Sequence, residues 1–343
     1  MYIVEQIKND LKPCIRKSAA RVLYLDAIKL FSGFLIVFYH LAYYRLDYNF
    51  TLGAPYLPNA NRIIMCFASC SVPLFFMVNG ALMLHKKRDW KYIYYKAAKI
   101  VVLALVWGWT GFPSWFLFTM AVLYGLIPVL QYAEKRIPIL YYAMLIMIFC
   151  YPYIYNFLVF VLKALSITTI TIIGKVIDFS GLSVTGGHRI YSLLYFCLGN
   201  LIYRTNRKIH PAVCVTLGVI GWIFVVFECA AYTNFSSAMH DGVNNAFPTV
   251  GALLLSVGVF CWMKEHEEKC QKLKRLLGTC SGEIFGIYVF HMMAISWLDK
   301  LGVLGFEIGI PSAVVISITN IVICIFITKV IKRIPGICFF VGI

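Results

Sequence analysis

The sequence is poor in charge, and in acids most of all. Only 13% of its 343 residues are charged, and Asp and Glu supply 15 of them against 31 Lys and Arg. A soluble domain runs at about 25% charge and about 45–50% apolar residues. Here 61% are hydrophobic and the mean hydropathy is +0.80, which assigns the chain to the membrane class. Familiar catalytic signatures are missing as well. There is no Gly-x-Ser-x-Gly elbow, no His-Glu-x-x-His pair and no P-loop, so nothing of that kind competes for the chemistry. The Gly-Gly at 186–187 before His188 reads as a turn. Twelve cysteines are present, but no two stand in a Cys-x-x-Cys pair. Most fall in apolar stretches, Cys66, Cys70, Cys150, Cys197 and Cys324 among them. They are expected as buried thiols acting as small hydrophobes, without a disulfide framework or a metal. Internal repeats and low-complexity tracts are absent.

What is present is a series of long apolar runs. A crossing needs roughly 20 such residues. Ten spans fit, at about 25–44, 63–84, 97–112, 114–132, 138–162, 190–203, 211–232, 246–263, 282–298 and 310–331. Pro and Gly punctuate the turns, as in GFPS at 111–114 and RIP at 136–138. The expected class is all-α: a polytopic bundle of about ten transmembrane helices with both termini cytoplasmic. Its parts would be an N-terminal segment 1–22, a membrane domain 23–333 and a tail 334–343. The first span has no cleavage signal after it and reads as a retained helix. The net charge of +16 is not a nucleic-acid footprint, because the cations gather in alternate loops. Only Arg45, Arg62, Lys163, Lys175, Arg189 and Lys300, six of the 31, fall on the outer side. Residues 163–189, with the β-branched run ITTITIIGKVI, are open between an outer loop, a re-entrant piece and a surface helix.

The first span, YLDAIKLFSGFLIVFYH, carries Asp26, Lys29 and His40. Ionisable groups in a span are costly and face a bundle interior or a water-filled cavity. At about 100° and about 1.5 Å per residue, Lys29 and His40 share a face about 16 Å apart. Asp26, Gly33 and Ile36 lie on or beside that stripe. Asp26 and Lys29 can pair with each other at the helix mouth. His40 reads either as a histidine bonded within the bundle or as a base for a hydroxyl proton.

The segment RVLYLDAIKLFSGFLIVFYH at 21–40 resembles the first helix of the membrane acyltransferase-3 family, where an Arg is followed after ten residues by His. Here Lys29 stands in the Arg place. SVPLFFMVNGALML at 71–84 looks like the second helix, with Asn79 where the family has Ser. Lys96 and Lys99 match its basic pair, again Lys for Arg. PSWFLFTMAVLYGLIPVL at 113–130, LLYFCLGNLIYR at 193–204 and IFGIYVFHMM at 284–293, with His291, match later helices. The resemblance runs over residues 21–331.

That resemblance implies an O-acyltransferase of the cytoplasmic (inner) membrane. It would move an acyl group, acetyl by expectation, from cytoplasmic acyl-CoA to a hydroxyl of a surface or lipid-linked glycan. His40 is the expected general base and His291 the second catalytic candidate, with an acyl-histidine intermediate left open. Lys29, Lys96 and Lys99 would hold the donor phosphates, though Lys lacks Arg's bidentate fork. Asp26, Asn79, Trp115 and Glu228 are candidates for the substrate, each with a plain alternative: an ion pair, interhelical glue, the aromatic belt, or a glutamate facing water. Arg45, Asp47, Arg62, His188, Arg189 and Asp241 are weaker outer-face candidates. No metal and no nucleic-acid partner is expected. The competing reading is a multi-pass transporter of a glycan or small metabolite. A polymerase of lipid-linked sugars and a sensor are more distant.

Overall fold

A computed structural model of the chain describes residues 21–42, 57–109, 114–167, 169–172, 175–178, 189–236, 241–304 and 309–342. Arg45, Asp47 and His188 lie outside the described residues, as does most of the GFPS turn. The helices are α1 (Leu23–Ala42), α2 (Ala60–Cys66), α3 (Ser71–Met83), α4 (Trp90–Trp109), α5 (Trp115–Arg136), α6 (Pro138–Ile148) and α7 (Tyr155–Ala164). After a hairpin follow α8 (Tyr191–Arg204), α9 (Pro211–Ser236), α10 (Val250–Glu265), α11 (Glu267–Gln271), α12 (Lys274–Cys280), α13 (Ile284–Lys300) and α14 (Ile310–Lys332). Each of the ten expected spans holds a helix.

Among the described residues, seven segments are long and apolar enough to cross a membrane. They are α1, α2–α3, α5, α6–α7, α9, α12–α13 and α14. The other three positions hold α4, which carries Lys91, Lys96 and Lys99, and the shorter α8 and α10, of 14 and 16 residues. The chain is a multi-pass membrane bundle.

Local sequence explains the breaks. Pro73 has no N–H for the carbonyl of Ser69 four residues back, and the stretch Phe67–Cys70 tightens into a 3₁₀ turn between α2 and α3. Pro152 sits in the wide π turn Phe149–Ile154 that joins α6 to α7, where Tyr151 leaves helical geometry. Cys150, expected buried, is exposed in that turn, while Cys66, Cys70, Cys197 and Cys324 are buried. Within the open segment 163–189 the described residues include a hairpin: β1 (Thr169–Ile172) and β2 (Lys175–Asp178) pair antiparallel, with Thr169 opposite Asp178 and Ile172 opposite Lys175. Thr and Ile suit extended pairing better than a surface helix.

Within lipid, apolar side chains gain nothing by leaving one apolar surface for another, so close backbone packing has to hold the helices. α3 and α8 meet backbone to backbone: a Cβ on Gly80 would strike the Phe196 carbonyl, and one on Gly199 would strike Met77. Lipid-facing stripes are explicit elsewhere. Val315, Ile318, Val322 and Phe326 on α14 are exposed at helical spacing.

α1 lies at the centre, packed against α3, α10, α13 and α14. Helix ends gather in two sets. At the first end, Arg204 closing α8 pairs with Glu134 near the end of α5 at 2.6 Å. Lys264 closing α10 donates to the Ile202 carbonyl at 2.6 Å, and Arg21 ahead of α1 donates to that of Gly278 in α12 at 2.7 Å. At the second end, Tyr39 of α1 reaches Asp241 ahead of α10 at 2.6 Å. The segment set apart as a tail folds back as a 3₁₀ turn, Ile337–Val341, whose Phe340 carbonyl accepts from Trp107 Nε1 at 3.1 Å.

Candidate active site

A cavity of about 480 Å³ opens at the first end. Its walls come from α1 (Lys29), α3 (Asn79), α4 (Lys96), α5 (Tyr124) and α13 (Tyr288), with Arg88 between α3 and α4. Arg21 and Lys332 also line it, so five cations surround one volume. Two are paired: Lys29 with Asp26 at 3.2 Å and Lys332 with Glu283 at 2.7 Å. Arg88 and Lys96 both lie against the Tyr92 ring, at 5.3 and 5.5 Å from its centroid. Among the described residues Arg88 forms no ion pair with an acid. A surplus of cations, part of it held on an aromatic face, is what a phosphate-bearing ligand needs. His85, beside this cluster, is held below its ordinary pKa, first by burial and then by Lys86, Arg204 and Arg88.

Deeper in, the lining turns apolar and aromatic with Phe75, Phe116 and Met120. Asn79 is satisfied there: its Nδ2 donates to the Phe75 carbonyl and its Oδ1 accepts from Tyr124 Oη, both at 2.8 Å. The Tyr288 and Phe116 rings, which both line the cavity, meet at 5.1 Å between centroids. Behind Tyr288, at 6.2 Å, is the ring of His291.

His291 and His40 are in ring contact, with centroids 5.1 Å apart and planes inclined by 42°. They stand far apart in the chain; the packing of α1 on α13 unites them. The expected stripe on α1 faces α13 along its length, since Gly33 stands against Ile284 and His40 against His291. His291 is buried, its Nδ1 2.6 Å from the Tyr288 carbonyl and 3.2 Å from that of Ile287. Asn320 of α14 donates to the His291 carbonyl at 3.0 Å. His40 is half-buried, and its neighbour Tyr39 donates to Asp241 Oδ2 and accepts from Asn244 Nδ2, each at 2.6 Å.

The other candidates divide. Lys99 does not line the cavity; it is buried under the C-terminal turn with its Nζ 4.6 Å from the centre of the Phe339 ring. Trp115 carries Arg189 over its face at 5.3 Å, at the second end. Glu228 does not face water: it is 2% exposed and meets Thr249. Arg62 and Asp241 are buried too. Sequence reasoning missed Arg21, Arg88, Lys332, Tyr124 and Tyr288. The three cations read there as orientation charge, and nothing local marks the two aromatics.

A family model described as an acyltransferase domain matches residues 22–112 and 109–329. No curated protein and no solved structure matches the chain. A helical membrane bundle with a cation-ringed cavity and a buried histidine contact thus meets a family match over most of its length. The chain belongs to the acyltransferase-3 family and is a membrane acyltransferase.

Proposed function

We propose that the protein is an O-acyltransferase of the cytoplasmic membrane, with both termini and the cation-ringed end facing the cytoplasm. The donor is acyl-CoA, the transferred group acetyl, and the acceptor a hydroxyl of a surface or lipid-linked glycan. One observation carries the reading: Tyr288, which lines the cation-ringed cavity, has its ring 6.2 Å from that of His291, which in turn contacts His40. Arg88, Lys96 and Lys29 would hold the donor phosphates. The thioester would pass Tyr288 and Phe116 to reach the histidines. Trp115 with Arg189 would offer the acceptor an aromatic and cationic face on the other side.

The chemistry balances with one base. A nitrogen of His40 takes the proton of the acceptor hydroxyl as its oxygen attacks the thioester carbonyl. Collapse of the tetrahedral adduct breaks the C–S bond. The imidazolium returns the proton to the departing CoA sulfur, leaving an ester and a thiol. A base placed in this way contributes about 10²–10⁴-fold.

The test compares ester-linked acetyl on surface glycans in cells with the wild type, with His40→Ala at equal membrane level, and without the protein. Acetyl confined to the wild type is the expected result. Acetyl equal in the wild type and in His40→Ala, with surface glycan itself lost when the protein is absent, would replace transfer by export.

A further inference from the structure

Part of the cavity wall at the first end comes from a turn, not from a spanning helix. Val341 and Gly342 line the cavity together with Lys96 and Ile100 of α4, Lys332 of α14 and Ile284 of α13. Val341 closes the turn Ile337–Val341, which the chain reaches by reversing after α14. Gly336 stands at that reversal with φ +80°, a left-handed backbone that a residue without Cβ adopts at no steric cost. The turn packs on α13 and α14, with Cys338 and Val341 buried. It also grips α4 at two points about two helical turns apart. The Phe339 ring centre lies 4.6 Å from Lys99 Nζ, and the Phe340 carbonyl accepts from Trp107 Nε1 at 3.1 Å. The Trp107 ring in turn meets Phe290 of α13 edge-on, at 5.3 Å between centroids. The main packing of α4 is along α5, so this turn is its tie to the other side of the cavity.

We propose that the turn Ile337–Val341 is a clasp of the donor site: it ties α4 to α13 and α14, and Phe339 is the positioning residue that keeps the α4 wall, with Lys96, closed on the cavity. The need for a tie comes from charge. Arg21, Lys29, Arg88, Lys96 and Lys332 line one volume, and like charges around a cavity push its walls apart. Carboxylates on every one of them would hold the walls but would cancel the field that a polyanion needs. An aromatic face holds an ammonium without cancelling its charge. Phe339 therefore fixes Lys99, three residues from Lys96, and leaves the site positive. A polyanion bound between the walls relieves the same repulsion. Ligand and clasp thus favour one state, the closed one. Such coupling is reciprocal: a clasp that tightens the ligand must be tightened by it. That the ligand is acyl-CoA rests on the function proposed above, whereas the tie on α4 rests on the contacts alone.

The experiment is hydrogen–deuterium exchange on the full chain in lipid nanodiscs, read over residues 334–342 for the turn and 95–108 for α4. The turn reports on itself, because the Cys338 and Phe339 amides donate to the carbonyls of Ile334 and Gly336. Without ligand, Phe339→Ala should speed exchange over both stretches at least about threefold, and Phe339→Tyr, which keeps the ring face, should not. Exchange over 95–108 that is equal in the wild type and Phe339→Ala overturns the proposal. Desulfo-CoA, which keeps the phosphates but has no thiol, is the ligand probe. At saturation it should slow exchange over 334–342 in the wild type, an arm that needs no variant to fold. By calorimetry its Kd should rise about tenfold in Phe339→Ala and return in Phe339→Tyr. Bound desulfo-CoA with unaltered exchange over 334–342 overturns the coupling of clasp and donor. A wild type that binds no desulfo-CoA would sink the acyl-CoA reading, while the ligand-free exchange of α4 would still decide the clasp.

Discussion

The two ends of the bundle use charge in opposite ways. At the first end, Arg21, Lys29, Arg88, Lys96 and Lys332 stand around open volume, each at least partly accessible, with Asp26 paired to Lys29 and Glu283 to Lys332. At the second end, Asp241, bonded to Tyr39 next to His40, is packed away and only 8% exposed. Asp241 takes hydrogen bonds from Tyr39, Asn244 and the Val243 amide. A charge left wet beside a cavity is available to a ligand. A charge buried and saturated with hydrogen bonds orders the chain around it. The first end is therefore a receptacle, and the second end a frame that holds α1 and the segment before α10 together beside His40.

The sharpest way to break that contrast is charge reversal at the first end. Arg88→Glu combined with Lys96→Glu should lower kcat/KM for acetyl-CoA at least about a hundredfold, from the loss of two charge-assisted contacts worth about 1.5–3 kcal/mol each. Arg189→Glu, at the second end, should leave KM for acetyl-CoA unchanged. Steady-state thiol release measures both. Equal loss in the two proteins would mean that both ends see the donor, and the division of labour would be wrong.

Much of the first end was legible as charge but not as site. The stripe Lys29–Gly33–His40 follows from helical period alone, and α13 does cover it. Arg88 could not be told from Lys86 and Lys87, because a cation near a helix end carries the same signal whether it orients the chain or faces a cavity. Lys96 and Lys99 look equivalent, one helical turn apart. What separates them is Phe339, which a turn at the far end of the chain lays against Lys99. The saturation of Asp241 is likewise tertiary, since its partner Tyr39 is 202 residues away. Periodicity finds faces; only packing decides which charge is left beside open volume.

A smaller effect is expected from loosening the frame. Asp241→Ala removes the acceptor of the Tyr39 hydroxyl and of Asn244, leaving donors without their partner at the second end. The cost should be about 1–3 kcal/mol, read as a lower thermal midpoint in a fixed lipid or detergent. KM for acetyl-CoA should not move. A changed KM with an unchanged midpoint would make Asp241 part of the donor site and erase the distinction between the ends.

The smallest effect is also the most direct reading of the field at the first end. His85 packs its ring edge-on against Tyr203 at 4.9 Å, and burial, Lys86, Arg204 and Arg88 in that order keep its pKa below the ordinary value of about 6.5. The neutral form is thus favoured in the folded protein. Its contribution to stability is present above pH about 6.5 and is lost as pH falls below it, because the unfolded chain takes up the proton first. His85→Asn should flatten that acid-side decline slightly. A polyanion held at Arg88 cancels part of the repulsion, so saturating CoA or pyrophosphate should move the His85 titration upward, toward its ordinary value, while the burial contribution remains. The shift is readable by NMR of the labelled ring. A histidine that titrates identically with and without the anion would put the ligand's charge somewhere other than beside Arg88, and the cavity would then have to be reached by a molecule without phosphates.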